Sequence, residues 1–329
     1  MTIKERILKL FKNSNELTIK EIVDKTGASK QMVHIAMKQL LDTNKVQKLG
    51  RTPKTIYRWL DTPPLMQEDK ADYHIHDKEQ EILEKDWMVV TESGELLVGM
   101  EAFAHWCMQR KLPVKKTLDE YMKTKQKYQH LYNADGNING MEKLKATTGY
   151  TYIWLDELYY LDFYAIERFG KTKLGNVLHY AKQGQNKYLM KMMMDMIRQR
   201  IIHLIKQQKA DAIGFIPPTI RREVQLMKFM QTQLDISLPI VDIKKISGLI
   251  PVPQKSLSKL EERIRNADNT FAITDTRKFK HVVLIDDAVG SGATLNQVAG
   301  KLKAKKVAAK ITGLAVVGSL KGFDVITDV

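Results

Sequence analysis

Two adjacent carboxylates, Asp286 and Asp287, stand at the end of an apolar run, His281–Ile285, and a loop of small residues follows at once. The run is β-branched and has the length of a buried parallel strand. The loop contains Ala288, Gly290, Ser291, Gly292 and Ala293, and Thr294 opens a helical pattern, TLNQVAGKLKAKK. In open α/β sheets, ligands bind beyond the carboxyl ends of parallel strands. Small residues there let backbone N–H groups close round a phosphate, and a helix N-terminus adds partial positive charge. The hydroxyls of Ser291 and Thr294 can donate to the same oxygens. Carboxylates are poor partners for a phosphate but good acceptors for the vicinal hydroxyls of a ribose. The stretch therefore reads as a ribose 5-phosphate site, with the acid pair on the sugar and Gly290–Thr294 on the phosphate.

The elements that must position this stretch begin near Leu158. Residues 186–205 form an amphipathic helix whose methionines read as core filling. Ala210–Ile216 is a short strand running into Pro217 and Pro218, with Arg221 and Arg222 at the start of the next helix. A rigid turn flanked by two guanidinium groups suits a pyrophosphate. Leu238–Ile243 is a further strand. Residues 158–329 thus read as an α/β domain on a parallel sheet.

The motif VVLIDDAVGSGATL resembles the phosphoribosyl pyrophosphate (PRPP) motif of type I phosphoribosyltransferases. Ala288 and Gly290 depart from the usual pattern, which has a larger aliphatic and a Thr or Ser there. Gln254, Leu257, Arg263, Asn266 and Phe271 are spaced like the Q–L–R–N–F signature of the ComF-type branch, and YAIERFGKTKLGNVLHYAKQG is similar to that branch's entry helix. The resemblance implies a PRPP or nucleotide ligand, Mg2+ carried with it, and substitution or hydrolysis at the anomeric carbon, as in phosphoribosyl transfer or nucleotide N-glycosidic cleavage. Asp286 and Asp287 would be the catalytic carboxylates, because the transition state has oxocarbenium character. No residue stands out as a general base. The branch's N-terminal zinc ribbon is missing, and the segment after its proline loop is shortened to TIRREVQ.

Residues 1–60 carry thirteen Lys and Arg against five Asp and Glu, more than half of the chain's net charge of +15. Ile3, Ile7, Leu10 and Phe11 mark one amphipathic helix. Thr18 and Glu21 form a capping box for a second, and Ser29 caps a third with Met32, Val33, Ala36, Leu40 and Leu41 on its inner side. Val46–Leu60 reads as a hairpin. Residues 1–62 resemble a winged helix–turn–helix domain, which implies nucleic-acid binding, to DNA or an RNA/DNA hybrid. Lys30, Gln31, His34 and Lys38 would face the major groove, and Lys48, Arg51, Lys54 and Arg58 lie on the wing.

Residues 63–80 hold two prolines and little periodicity, as a linker does. His74 and His76 there lack a third ligand at useful spacing and read as surface residues. Residues 81–157 are expected to form a mainly helical middle segment. WMVVTESGELLVG within it suggests a hairpin turning at Ser93–Gly94.

A single cysteine, Cys107, excludes a disulfide framework and a cysteine-based metal site. The charged amphipathic start is unlike a signal peptide, and no apolar run is long enough for a bilayer, so a cytoplasmic location and no membrane partner are expected. Three functions fit these readings. The first, a defence effector acting on nucleotides, rests on resemblance to winged-helix phosphoribosyltransferase-like proteins that accompany retron reverse transcriptases, and implies such a complex as partner. The second is a ligand-sensing transcription regulator, and the third a ComF-like competence factor in DNA uptake.

Overall fold

The computed structural model describes residues 2–43, 45–51, 54–60, 75–220, 222–246, 252 and 256–320, without the side chains of residues 51 and 54. The chain divides into two compact units: Met1–His76 with Thr91–Glu95, and Asp77–Val90 with Leu96–Val329.

The first unit follows its local sequence signals closely. α1 (Ile3–Phe11), β1 (Glu16–Leu17), α2 (Ile19–Thr26) and α3 (Lys30–Asp42) precede the hairpin of β2 (Val46–Arg51) and β3 (Lys54–Trp59). At the start of α2 the Thr18 N–H donates to Glu21 Oε2 at 2.7 Å and the Glu21 N–H to Thr18 Oγ1 at 3.2 Å. The Met32 N–H donates to Ser29 Oγ at the start of α3. Such caps contribute about 1 kcal/mol each. β3 pairs antiparallel with both β1 and β2. The three helices and the sheet enclose one core of Ile7, Phe11, Leu17, Ile22, Val33, Met37, Leu40 and Tyr57. One expectation fails here: Met32 is exposed, and Met37 takes the buried place.

The second unit opens with α4 (Asp77–Asp86), so a helix begins inside the expected linker; residues 61–74 lie outside the described residues. The expected hairpin follows as β4 (Met88–Val90) and β5 (Leu96–Val98). Next come α5 (Gly99–Gln109), α6 (Val114–Tyr128), β6 (Ile138–Asn139) and α7 (Met141–Ala146). The α/β part contains β7 (Glu157–Phe163), α8 (Lys173–Gln183), α9 (Lys187–Gln207), β8 (Ala212–Phe215), α10 (Leu226–Leu234) and β9 (Ile243–Lys245). It ends with α11 (Leu260–Thr270), β10 (Phe271–Ile273), β11 (Phe279–Val289), α12 (Ala293–Ala304) and β12 (Ala308–Gly318).

The main sheet has the order β6-β7-β12-β11-β8. β7, β12, β11 and β8 run parallel, and β6 is an antiparallel edge. Helices cover both faces. Val283 and Ile285 of β11 pack in the core with α8, α9 and α10, whereas Val282 and Leu284 pack in the core with α7 and α12. Burial on both faces is why β11 and β12 read as continuous apolar runs. The boundary expected at residues 157/158 does not separate two bodies. β6 pairs with β7, and the segment before β7 packs into the same unit. Among the described residues, no helix is long and apolar enough to cross a membrane.

Candidate ribose–phosphate site

Parallel pairing aligns the carboxyl ends of three strands. The Ile216 N–H donates to Ile285 O at 2.9 Å, so Pro217 and Pro218 start beside the acid pair. On the other side the Ser319 N–H donates to Val289 O at 3.0 Å. The site thus forms where β8, β11 and β12 end, with α12 leaving from its floor.

The alternation of β11 sends its two acids to opposite faces. Asp287, with the parity of Val283 and Ile285, meets α8: Lys182 Nζ lies 2.5 Å from its Oδ2. Asp286, with the parity of Val282 and Leu284, accepts the Asp287 N–H at 2.8 Å on Oδ1. Burial, reinforced by the charge of Asp287, pushes the Asp286 carboxyl up to about 7, and Lys182 opposes the rise only in part.

The loop between β11 and α12 is held from within and from behind. Gly292 takes φ +87° as the residue before α12, and the Ala293 N–H donates to Ser291 Oγ at 3.3 Å. The Ser291 hydroxyl thereby serves the loop itself as well as lying beside the cradle. Behind the loop, Lys143 of α7 donates to Gly290 O at 3.3 Å, to Ser319 O at 2.8 Å and to the Ser319 hydroxyl. Burial lowers the Lys143 ammonium to about 8. Tyr150 donates its hydroxyl to Ser291 O at 3.0 Å. Fully buried Asn296 of α12 accepts the Trp154 N–H at 2.7 Å and donates to Tyr152 O at 2.9 Å. The Gly290 and Ser291 carbonyls are thus engaged from behind the loop.

Of the residues singled out in the sequence, Asp286, Asp287, Pro217, Pro218 and Gly290–Thr294 come together at this end of the sheet. Arg222 does not start a helix. It lies just before a bend at Glu223–Val224, four residues ahead of α10, and donates to Gln183 Oε1 at 3.2 Å, next in sequence to Lys182. Gln185 Oε1 accepts the Val224 N–H at 2.8 Å, which ties the same bend to the segment after α8. Arg221 and Gln254 lie outside the described residues. Within the Q–L–R–N–F spacing, Arg263 is buried and donates to Leu257 O, and Phe271 is fully buried. Those two residues do structural work. Sequence reading missed Lys182, Lys143, Tyr150 and Asn296.

In the first unit, Lys30, Gln31, His34 and Lys38 are exposed together on α3, and Lys48 is exposed on β2. Arg58 is bound instead: its Nε and Nη2 donate to Glu16 Oε1 at 2.8 and 2.6 Å. The side chains of Arg51 and Lys54 are outside the described residues.

Solved phosphoribosyltransferases are among the structures this chain is similar to. One is a hypoxanthine phosphoribosyltransferase from Staphylococcus aureus, with a TM-score of 0.25 and 15% identity over 39% of this chain and 64% of that one. Another is the adenine phosphoribosyl transferase of Trypanosoma brucei, solved with AMP, pyrophosphate and ribose-5-phosphate, with a TM-score of 0.26 and 18% identity over 51% and 77%. This chain spans just under two thirds of the first enzyme's length. Neither a protein-family profile nor a curated protein matches the chain.

Proposed function

We propose that the second unit binds a ribose 5-phosphate compound, PRPP or a 5′-nucleotide, at Asp286–Thr294, in the manner of a type I phosphoribosyltransferase of the ComF-type branch. The observation that carries this reading is an acid pair at the carboxyl end of an internal parallel strand, joined without a gap to a loop anchored by Lys143 and Tyr150. The pair would accept from the ribose hydroxyls, and the loop N–H groups and the start of α12 would take the phosphate. Lys182, paired with Asp287, and Arg222, bonded to the neighbouring Gln183, would supply the cations for a second anionic group at the anomeric carbon.

Among the described residues no cluster of three or more metal-ligating side chains exists. Two neighbouring carboxylates fit Mg2+ only as an ion that arrives on the ligand's own oxygens, with Asp286 or Asp287 completing its shell. It would there neutralise the anionic ligand. The first unit, with its three helices and basic hairpin, is read as a winged helix–turn–helix module that binds duplex nucleic acid through phosphates. A nucleotide-consuming defence effector acting with a retron reverse transcriptase is the fullest form of this proposal. The exposed cations of α3 are what support a nucleic-acid partner for it.

The sugar reading is tested by titrating the full chain with ribose 5-phosphate and with 2-deoxyribose 5-phosphate. One lost hydroxyl–carboxylate bond should weaken the deoxy compound about 10- to 150-fold. Equal affinities would remove the acid pair from ribose recognition.

A further inference from the structure

The exposed side of α3 is not uniformly polar. Val33, Ala36, Met37 and Leu40 are its buried residues, an i, i+3, i+4, i+7 set. That phase turns Met32 and Ile35 outward, 51% and 56% exposed. Lying three residues apart, they form one aliphatic strip. Lys30, His34 and Lys38, spaced by four, run along the adjoining surface, and all are exposed. The face therefore combines hydrocarbon with positive charge on a helix whose first residues, Lys30 to Met32, are all exposed.

A partner for such a face needs apolar groups flanked by anions. B-form DNA supplies that pattern: the 5-methyl group of thymine projects into a major groove wide enough for a helix, with phosphates along both walls. Duplex RNA does not, because its major groove is deep and narrow and its uracils carry no methyl. We propose that α3 reads thymine methyl groups through Met32 and Ile35, with Lys30, His34 and Lys38 directed to the phosphates and base edges around them. The inference rests on the reading of the first unit as a duplex-binding module, and it specifies DNA and the base contacted.

The test measures binding of the full chain by fluorescence anisotropy, at one salt concentration, to two duplexes. One is an alternating A·T duplex and the other has every thymine replaced by uracil. Uracil keeps the pairing, the phosphates and every hydrogen-bonding group in the groove, and removes only the methyl. The uracil duplex should bind more weakly by about fourfold for each methyl contacted. Met32→Ser with Ile35→Ser should abolish that difference while keeping the salt dependence, and Ile35→Leu should retain it. Both positions are exposed, so these changes leave the core of α3 intact. Equal wild-type affinities for the two duplexes would overturn the inference and leave duplex binding standing. No binding to either duplex would overturn the duplex-binding reading as well.

Discussion

Both units turn the chain into a helix region with a left-handed glycine, and the two turns differ in what surrounds them. Gly27, at φ +64°, ends α2, and a Cβ placed there would meet nothing within 4 Å. Gly292, at φ +87°, starts α12, and a Cβ there would lie 2.8 Å from Leu144 Cδ1. The first glycine serves backbone geometry alone. The second serves geometry and a close approach by α7, which belongs to the segment that also supplies Lys143. The difference extends to side chains. The first unit presents Lys30, His34 and Lys38 on an open face, whereas the second fixes its loop through Lys143, Tyr150 and Asn296. A surface that meets a long polyanion tolerates mobile cations, because phosphate attraction is long-ranged and sums over many contacts. A cradle for one phosphate needs its N–H groups aimed before the ligand arrives.

Substituting the two glycines separates these cases. Gly27→Ala should cost only the left-handed backbone, about 1–2 kcal/mol. Gly292→Ala adds overpacking against buried Leu144, for a total of about 2–5 kcal/mol. Urea unfolding reads the difference. Only the second change should weaken ribose 5-phosphate binding; equal costs with unchanged affinity would mean that the loop is not held from behind.

A smaller effect concerns Asp286. Its folded-state value lies above that of a free carboxyl, so folding favours the protonated form. The stability this contributes is fully present below about pH 4 and is lost as pH rises through about 7. Asn cannot ionise. Asp286→Asn should therefore leave the Tm unchanged near pH 4 and raise it at pH 8, by at least about 2–4 °C. A fall at pH 8 would show that the ionised acid is well satisfied where it stands.

The parts legible in the sequence were those whose signals are local. The capping box of Thr18 and Glu21, the Ser29 cap, the β2–β3 hairpin and the β11–loop–α12 order are each made by one continuous stretch of chain. Lys143 meets Gly290 across 147 positions and Tyr150 meets Ser291 across 141, and no periodicity announces such pairs. The middle segment read as a separate helical body because its own pattern is helical. Its role in the site depends on β6 joining the sheet at Tyr159 and Tyr160, a two-residue pairing too short to read. Met32 misled for another reason: Met32 and Met37 are equally apolar, and the phase of Val33 and Leu40 decides between them.

The most direct measurement is calorimetric titration of the full chain with ribose 5-phosphate, for wild type and for Asp286→Asn combined with Asp287→Asn. The double variant keeps the shape, replaces one acceptor oxygen of each acid by an amide NH2 donor, and loses both charges. Losing charge-assisted bonds to the sugar should lower affinity by at least about 10- to 150-fold, with the variant still folded by circular dichroism. Equal affinity in the two folded proteins would contradict a ribose site at the end of β11.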